Sequence, residues 1–267
     1  MIADYRDKAV LVTGGTMGIG LATALAFAAR GAHCTLTHRF GSADEDDVRR
    51  KFAEAGSPMP NIIQADVAND EDTEMVLAEM KKNHDRIEAF ISNVSVALVV
   101  KDLSDYSLRG LCQSIEFSAW PMFEHTKRIK KCFGHYPRYV IGMSSSGPDS
   151  YSLGYDFVAA SKSVMETLNR YMNYRFFDED IRVNVIRSRN VRTDSFRLTF
   201  GTEFEKFAKK YTQENHFIET DEVANATLAL CSGLMDGVSG QVIMVDRGIT
   251  FFDNIMRLYA EREKLGI

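Results

Sequence analysis

Short runs of β-branched and other apolar residues alternate with longer stretches of helical periodicity along the whole chain. The strand-like runs are Lys8–Thr13, His33–His38, Asn61–Gln64, Ile87–Ser92, Arg138–Ser144, Ile181–Arg187 and Gln241–Val245. Helical stretches fall between them at about 18–30, 42–55, 70–82, 105–131, 154–175 and 220–232, several opening on a Ser, Thr or Asn suited to an N-cap. Parallel neighbours need a long crossover, normally a helix. The alternation therefore predicts an α/β fold, a doubly wound parallel sheet of seven strands with helices on both faces. Pro121 falls inside the fourth helical stretch, where its ring and missing N–H must kink or break it.

No repeat, low-complexity tract or linker divides the chain, so residues 1–267 are expected to form one domain. Two segments stand outside the alternation. Residues 194–217, from Asp194 to Phe217, are a charged and aromatic insertion at the sheet edge where such folds bind ligands, and read as a substrate lid. The tail, 250–267, places Phe252, Ile255, Met256 and Tyr259 on one helical stripe, with Arg257, Glu261, Arg262 and Glu263 largely elsewhere. Docking on its own domain and contact with another subunit fit that stripe equally well.

With 45% hydrophobic and 26% charged residues among 267, the chain can bury a sizeable core. Its net charge is −5, and Lys and Arg are scattered among Asp and Glu, which leaves no electrostatic footprint for nucleic acid or anionic membrane. Small molecules or protein-bound substrates are the expected partners. Cys34, Cys112, Cys132 and Cys231 lie far apart and show no metal-ligand spacing, which points to a reduced, cytoplasmic protein without a structural metal. Met1-Ile2-Ala3-Asp4-Tyr5-Arg6-Asp7 is charged, unlike a signal peptide, and no apolar stretch approaches a membrane span.

Thr13-Gly14-Gly15-Thr16-Met17-Gly18-Ile19-Gly20 follows the first strand and opens an apolar helix. Glycines there turn tightly and let backbone N–H groups approach a pyrophosphate at the helix N-terminus, the dinucleotide site of a Rossmann fold. The spacing Gly-x-x-x-Gly-x-Gly resembles that of the short-chain dehydrogenases/reductases, and the resemblance extends over nearly the whole chain. It implies a coenzyme cradle made of Gly14, Thr16, Met17, Gly18, Ile19 and Gly20. It also implies that Asp66-Val67 meets the adenine, although the Asp66 carboxylate alone also suits a cap for the helix near Asn69. Ser92-Asn93-Val94-Ser95 is similar to the family's Asn-Asn-Ala-Gly. The stretch from Val183-Asn184 through Val191 and Thr193 is similar to its nicotinamide loop, with Ser188-Arg189 in place of Pro-Gly. An acidic residue ending the second strand would repel a 2′-phosphate, but Thr37-His38-Arg39-Phe40 stands there. Arg39, assisted by His38, favours NADPH (NADP) as the coenzyme, against the alternative of a solvated arginine at a loop start.

Tyr155 precedes Lys162 by seven residues, and the position four before Lys162 is Val158. On a helix, seven residues separate Cα atoms by about 10.5 Å on one face, against about 6 Å at spacing four. Mainstream members of the superfamily carry Tyr-x-x-x-Lys. Tyr155-Asp-Phe-Val-Ala-Ala-Ser-Lys162, with Ser144-Ser145 and Tyr151 ahead of it, resembles the Tyr-x6-Lys of the NADPH-dependent bacterial enoyl-acyl-carrier-protein reductases. That resemblance implies Tyr155 as proton donor, Lys162 as ribose anchor and electrostatic support, Ser145 as helper, Tyr151 facing substrate, and a homo-oligomer, dimer or tetramer. Glu116 falls near the place where ketone-reducing members keep a catalytic Asn.

The displacement has a chemical reason: reduction of a 2-enoyl thioester delivers hydride to the β-carbon, three bonds from the oxygen that gains charge. Fatty-acid or polyketide-like biosynthesis on a carrier protein or coenzyme A follows from the same resemblance. Arg187, Arg189, Arg192 and Arg197 suit either a phosphopantetheine phosphate or an acidic carrier protein, or simply a solvated loop. The competing readings are a carbonyl reductase with a displaced tyrosine and a non-catalytic NADP-binding protein.

Overall fold

The computed structural model describes residues 4–39, 44–212 and 216–266, so Phe40, the first three residues and part of the expected lid lie outside the described residues. The strands are β1 (Ala9–Thr13), β2 (His33–His38), β3 (Asn61–Gln64), β4 (Ile87–Ser92), β5 (Tyr139–Ser145), β6 (Arg182–Ser188) and β7 (Val242–Val245). All pair in parallel, in the order β3-β2-β1-β4-β5-β6-β7, which is the expected doubly wound sheet. The crossovers are α1 (Gly18–Ala28), α2 (Glu45–Glu54), α3 (Asp70–Lys81), α4 (Leu108–Ser118), α5 (Trp120–Phe133), α6 (Asp156–Arg175) and, before β7, α7 (Asp194–Phe200), α8 (Thr202–Tyr211) and α9 (Thr220–Leu230). Among the described residues no helix is long and apolar enough to cross a membrane.

Alternation along each strand divides the interior into two cores. Val10, Val12, Leu36, Ile91 and Ile141 face α1 and α9 on one side. Leu11, Phe90, Val140, Val183 and Val185 face α3, α5 and α6 on the other. Both strand faces are covered, which is why the central strands read as unbroken apolar runs rather than alternating ones.

The fourth helical stretch is two helices. Ala119, between them, has φ −125° and ψ −52°, and Pro121 sits in the first turn of α5, the position its missing N–H tolerates. The break changes the hydrogen bonding around it, with the Met122 N–H reaching Ala119 O at 3.3 Å. Ser118 O is left available to a side chain.

The described residues of the segment read as a substrate lid are mostly helical, in α7 and α8. The tail forms two short helices, α10 (Asn254–Ala260) and α11 (Arg262–Leu265). Phe252, Ile255, Met256 and Tyr259 are all exposed, so the stripe is not docked on its own domain. Arg257 ties the tail to the end of α8 through Tyr211 O at 3.0 Å.

Phe27 on α1 is fully buried, edge-on to the Tyr5 ring at 4.8 Å between centroids. Phe27→Ala removes this packing from the core shared by α1 and α9. It is expected to cost about 3–5 kcal/mol, measured as a lower urea midpoint with an unchanged slope.

Candidate active site

The carboxyl ends of the strands open into a cleft of about 410 Å³. Gly14, Thr16, Met17, Gly18, Ile19, His38, Arg39, Asp66, Val67, Asn93, Val191 and Thr193 line it, together with Ser145, Tyr155 and Lys162. Gly20 does not line it, and its role is steric. A Cβ there would lie 2.2 Å from Gly14 O and 2.6 Å from Asn93 Nδ2, so only glycine lets α1 close on the loop. Tyr151 is 83% exposed and outside the cleft lining, so the ring that was expected to face substrate points to solvent at the surface.

The glycine loop is built for an anion. Gly14 and Gly18 adopt φ of 61° and 54°. Met17 at the N-cap offers no side-chain cap, and the first turn of α1 holds no acidic residue, so its N–H groups and dipole face the cleft uncompensated. Asn93 donates from Nδ2 to Thr13 O at 3.2 Å and Gly14 O at 3.0 Å, which locks the end of β4 to the loop. These residues fit a dinucleotide: a close-approach cradle, free donors at a helix start and a crevice between strand ends.

At the end of β2, the His38 ring is buried, with Nε2 3.2 Å from Glu45 Oε1 and Nδ1 3.0 Å from Arg39 O. Both ring nitrogens are thus engaged within the protein, which removes the expected assistance to a phosphate. The Arg39 guanidinium lies 3.3 Å from the Asp66 carboxylate and stands over the Phe117 ring at 5.6 Å. Asp66 is not the cap of α3. Asn69 is, accepting from Glu71 N and Asp72 N, while Asp66 accepts from Ala68 N at 3.0 Å in its own turn.

The nicotinamide-loop equivalent forms an isolated parallel bridge, Val191 to Ile218. Ile218 N–H donates to Asn190 O at 3.2 Å and Arg192 N–H donates to Ile218 O at 3.0 Å, which turns the N–H and C=O of Val191 itself to the opposite side. Where the family pattern has Pro-Gly, the chain bends one residue later, at Asn190 with φ 51°, a conformation Asn tolerates better than most residues. Thr193 then caps α7, accepting from Phe196 N at 3.0 Å.

Tyr155 is the N-cap of α6, at φ −102° and ψ 10°, and so stands just outside the helix rather than two turns down one helical face. Burial pushes its phenol pKa up, and a hydrogen bond with the Ser145 side chain opposes the rise. Lys162, two turns into the helix, is buried and donates from Nζ to Ser118 O at 3.2 Å, the carbonyl at the α4–α5 break. Burial lowers its pKa to about 7, opposed by the negative charge of Glu166 one turn further on. Val158 is buried and lines the cleft as an apolar wall. Glu116 is exposed.

A family model described as enoyl-(acyl carrier protein) reductase matches residues 14–250. The chain belongs to this family. It is therefore a member of the short-chain dehydrogenase/reductase superfamily, an oxidoreductase that works with a nicotinamide coenzyme. The NADH-dependent enoyl-acyl-carrier-protein reductase FabI of Haemophilus influenzae is 25% identical over 255 residues, covering 91% of this chain and 94% of that protein. The NAD-dependent glycerol dehydrogenase of Listeria innocua is 24% identical over 248 residues, covering 92% of this chain and 95% of that protein. Levodione reductase, a solved structure, superposes with a TM-score of 0.83 at 21% identity, over 93% of this chain and 100% of that one.

Within this short-chain reductase the four arginines do not form a patch at the cleft mouth. Arg187 is buried against Glu166 and Asp149, Arg192 pairs with Glu219 and Glu205, and Arg197 pairs with Asp194. Arg189 lines the cleft. Residues that sequence patterns did not single out include Ser118, whose carbonyl holds Lys162, and Phe117, Phe196 and Phe200, which give the cleft an aromatic side. Pro121 was the available signal for Ser118, since a broken helix must release a carbonyl. The ring of Phe200 lies 6.2 Å from that of Tyr155.

The folded protein holds the Lys162 proton less tightly than the unfolded chain does, with a pKa lowered from 10.5 to about 7. Lys162 therefore opposes folding below about pH 10, most strongly below about pH 7, and the opposition fades as pH rises between those values. Lys162→Met is expected to raise the melting temperature of coenzyme-free protein near neutral pH, with the gain shrinking toward about pH 10. Calorimetry across that range checks it, and a gain independent of pH would contradict it.

Proposed function

We propose that this protein is an NADPH-dependent reductase of the carbon–carbon double bond of a 2-enoyl thioester, carried by coenzyme A or a carrier protein in fatty-acid or polyketide-like biosynthesis. The observation that carries the reading is Tyr155, lining the cleft with Ser145 and Lys162 and standing seven residues before that lysine, with apolar Val158 in the position four before it. The glycine loop and the start of α1 would hold the pyrophosphate, Lys162 the nicotinamide ribose, and the Val191 backbone the carboxamide. When bound, the reduced nicotinamide supplies the hydride.

In a ketone the charged oxygen sits on the atom that accepts hydride. In a 2-enoyl thioester it sits three bonds away, and a donor displaced from the ribose anchor suits that geometry. Tyr155 hydrogen-bonds the thioester oxygen as negative charge develops there, protonated Lys162 favours the same charge, and the enolate takes a proton at its α-carbon as it collapses to the saturated thioester. Phe196 and Phe200 from α7 exclude water from the reacting end, in the role of a lid. The exposed tail stripe gives a second subunit an apolar surface, in keeping with a dimer or tetramer.

Carbonyl reduction is the second reading, supported by the similarity to a glycerol dehydrogenase and by the Ser145–Tyr155 pair. The two separate in one assay, oxidation of NADPH with a short 2-enoyl thioester or with a 3-ketoacyl thioester. Turnover of the enoyl ester is expected. Turnover of the ketoacyl ester alone would reject the first reading in favour of the second. Tyr155→Phe is expected to lower kcat by about 100-fold with little change in NADPH affinity, and full activity in that variant would remove Tyr155 from the mechanism.

The preference for NADPH rests on Arg39 and on the lack of an acidic residue at positions 37–39. Arg39→Ser is expected to weaken NADPH binding by about tenfold or more and NADH binding by far less. Fluorescence titration with both coenzymes measures this, and equal losses would assign Arg39 to the fold instead.

A further inference from the structure

Beneath the candidate active site lies a buried charge cluster that the reaction as described does not use. Glu166 on α6 and Arg187 on β6 have side chains only 5% and 8% exposed. Arg187 donates from Nε to Glu166 Oε1 at 2.9 Å and from Nη2 to Oε2, a two-pronged pairing. The Ser144 hydroxyl donates to the same carboxylate at 2.6 Å. The other arm of Arg187 holds Asp149, in the turn after β5. Ser144 and Arg187 are register partners on adjacent strands, so the sheet itself places them on one face.

The cluster stands between two openings. Ser144, Ser145 and Lys162 line the coenzyme cleft, whereas Glu166, Arg187 and Asp149 line a separate polar cleft of about 420 Å³. A buried ion pair is costly to desolvate, and apolar residues of similar volume often serve stability as well, so stability alone gives little reason for this one. Its position suggests another role. Glu166 lies four residues after Lys162 on the same helix, and Ser144 adjoins Ser145, so one carboxylate touches or flanks both parts of the candidate catalytic group.

We propose that Glu166, clamped by Arg187, is a positioning residue of the active site: it sustains the positive charge of Lys162 and fixes the end of β5 that carries Ser145. The proposal rests on the reading of Lys162 and Tyr155 as catalytic. Lys162 faces Glu166 from its own helix and the Ser118 carbonyl from the α4–α5 break, and it lines the cleft with Tyr155 and the Ser144–Ser145 end of β5. Glu166 in turn faces Lys162 and Arg170 from α6, Ser144 from β5 and Arg187 from β6, with Asp149 beyond Arg187. Glu166 lies one turn beyond Lys162 on α6, and its negative charge opposes the effect of burial. Without it the ammonium loses its proton at lower pH, and the charge that supports Tyr155 is lost with it.

The test is Glu166→Gln, read by NMR titration of Lys162 in lysine-labelled, coenzyme-free protein and by the pH profile of NADPH-dependent reduction. The Lys162 pKa is expected to fall by about one unit, and the alkaline limb of kcat/KM to move down with it, while Glu166→Asp restores both in part. Should Glu166→Gln not fold because Arg187 is left buried and unpaired, the double variant Glu166→Gln, Arg187→Gln removes both charges and is expected to shift Lys162 the same way. A Lys162 titration unchanged from wild type overturns the proposal, as does a shifted titration with an unmoved pH profile. Absence of enoyl-thioester turnover in the wild type would instead reject the enoyl-reductase reading. The pH dependence of NADPH binding then decides on Glu166, supporting it if the curve moves in the variant and overturning it if the curve stays.

Discussion

Between β1 and β4 the connections leave in opposite directions along the sheet, β1 leading out to β2 and β3, β4 to β5, β6 and β7. Right-handed crossovers then put the following helices on opposite faces, α1 against one core and α5 against the other. The crossover helices α1 and α5 thus diverge at these strand ends, and a crevice opens there. Its floor is the glycine loop, Asn93, the Ser145 end of β5 and the bridge at Val191. The contact that seats the loop on α1 is the approach of Gly20 to Gly14 O, at a distance that admits no side chain.

Within that crevice the central electrostatic problem is one buried ammonium. Lys162 is held by a carbonyl that exists as a free acceptor because α4 and α5 are separate helices, and it lies one turn before a carboxylate, Glu166, that is itself tied to β5 and β6. The helix break thus supplies the buried lysine with a hydrogen-bond acceptor where water is excluded. Tyr155, set at the N-cap of the same helix, lines the cleft with Ser145 from the end of β5. The chemistry expected of the group follows from charge support at short range in a poorly hydrated place.

Much of this was legible without coordinates. The strands lie where the β-branched runs put them, within one residue at each end, because a strand buried on both faces must be apolar throughout. Pro121 announced the division of the fourth helix, and the glycine spacing announced the loop. Other features were not legible. The pairing of His38 with Glu45, of Arg39 with Asp66, and of Arg187 with Glu166 and Asp149 joins groups on different elements. The exposure of Tyr151 and the placement of Tyr155 at a cap depend on where the β5–α6 turn ends, and periodicity locates such boundaries poorly.

Local pattern records what each residue needs from neighbours within a turn or a strand pair. By itself the sequence therefore determined the sheet, the order of strand and helix, the anion-binding loop and the spacing of Tyr155 from Lys162. Which charges neutralise one another, which tyrosine reaches the cleft and which carbonyl receives the buried lysine were decided only by tertiary structure. Those contacts join residues far apart in the chain, and their strength depends on a burial that exists only after the elements have packed.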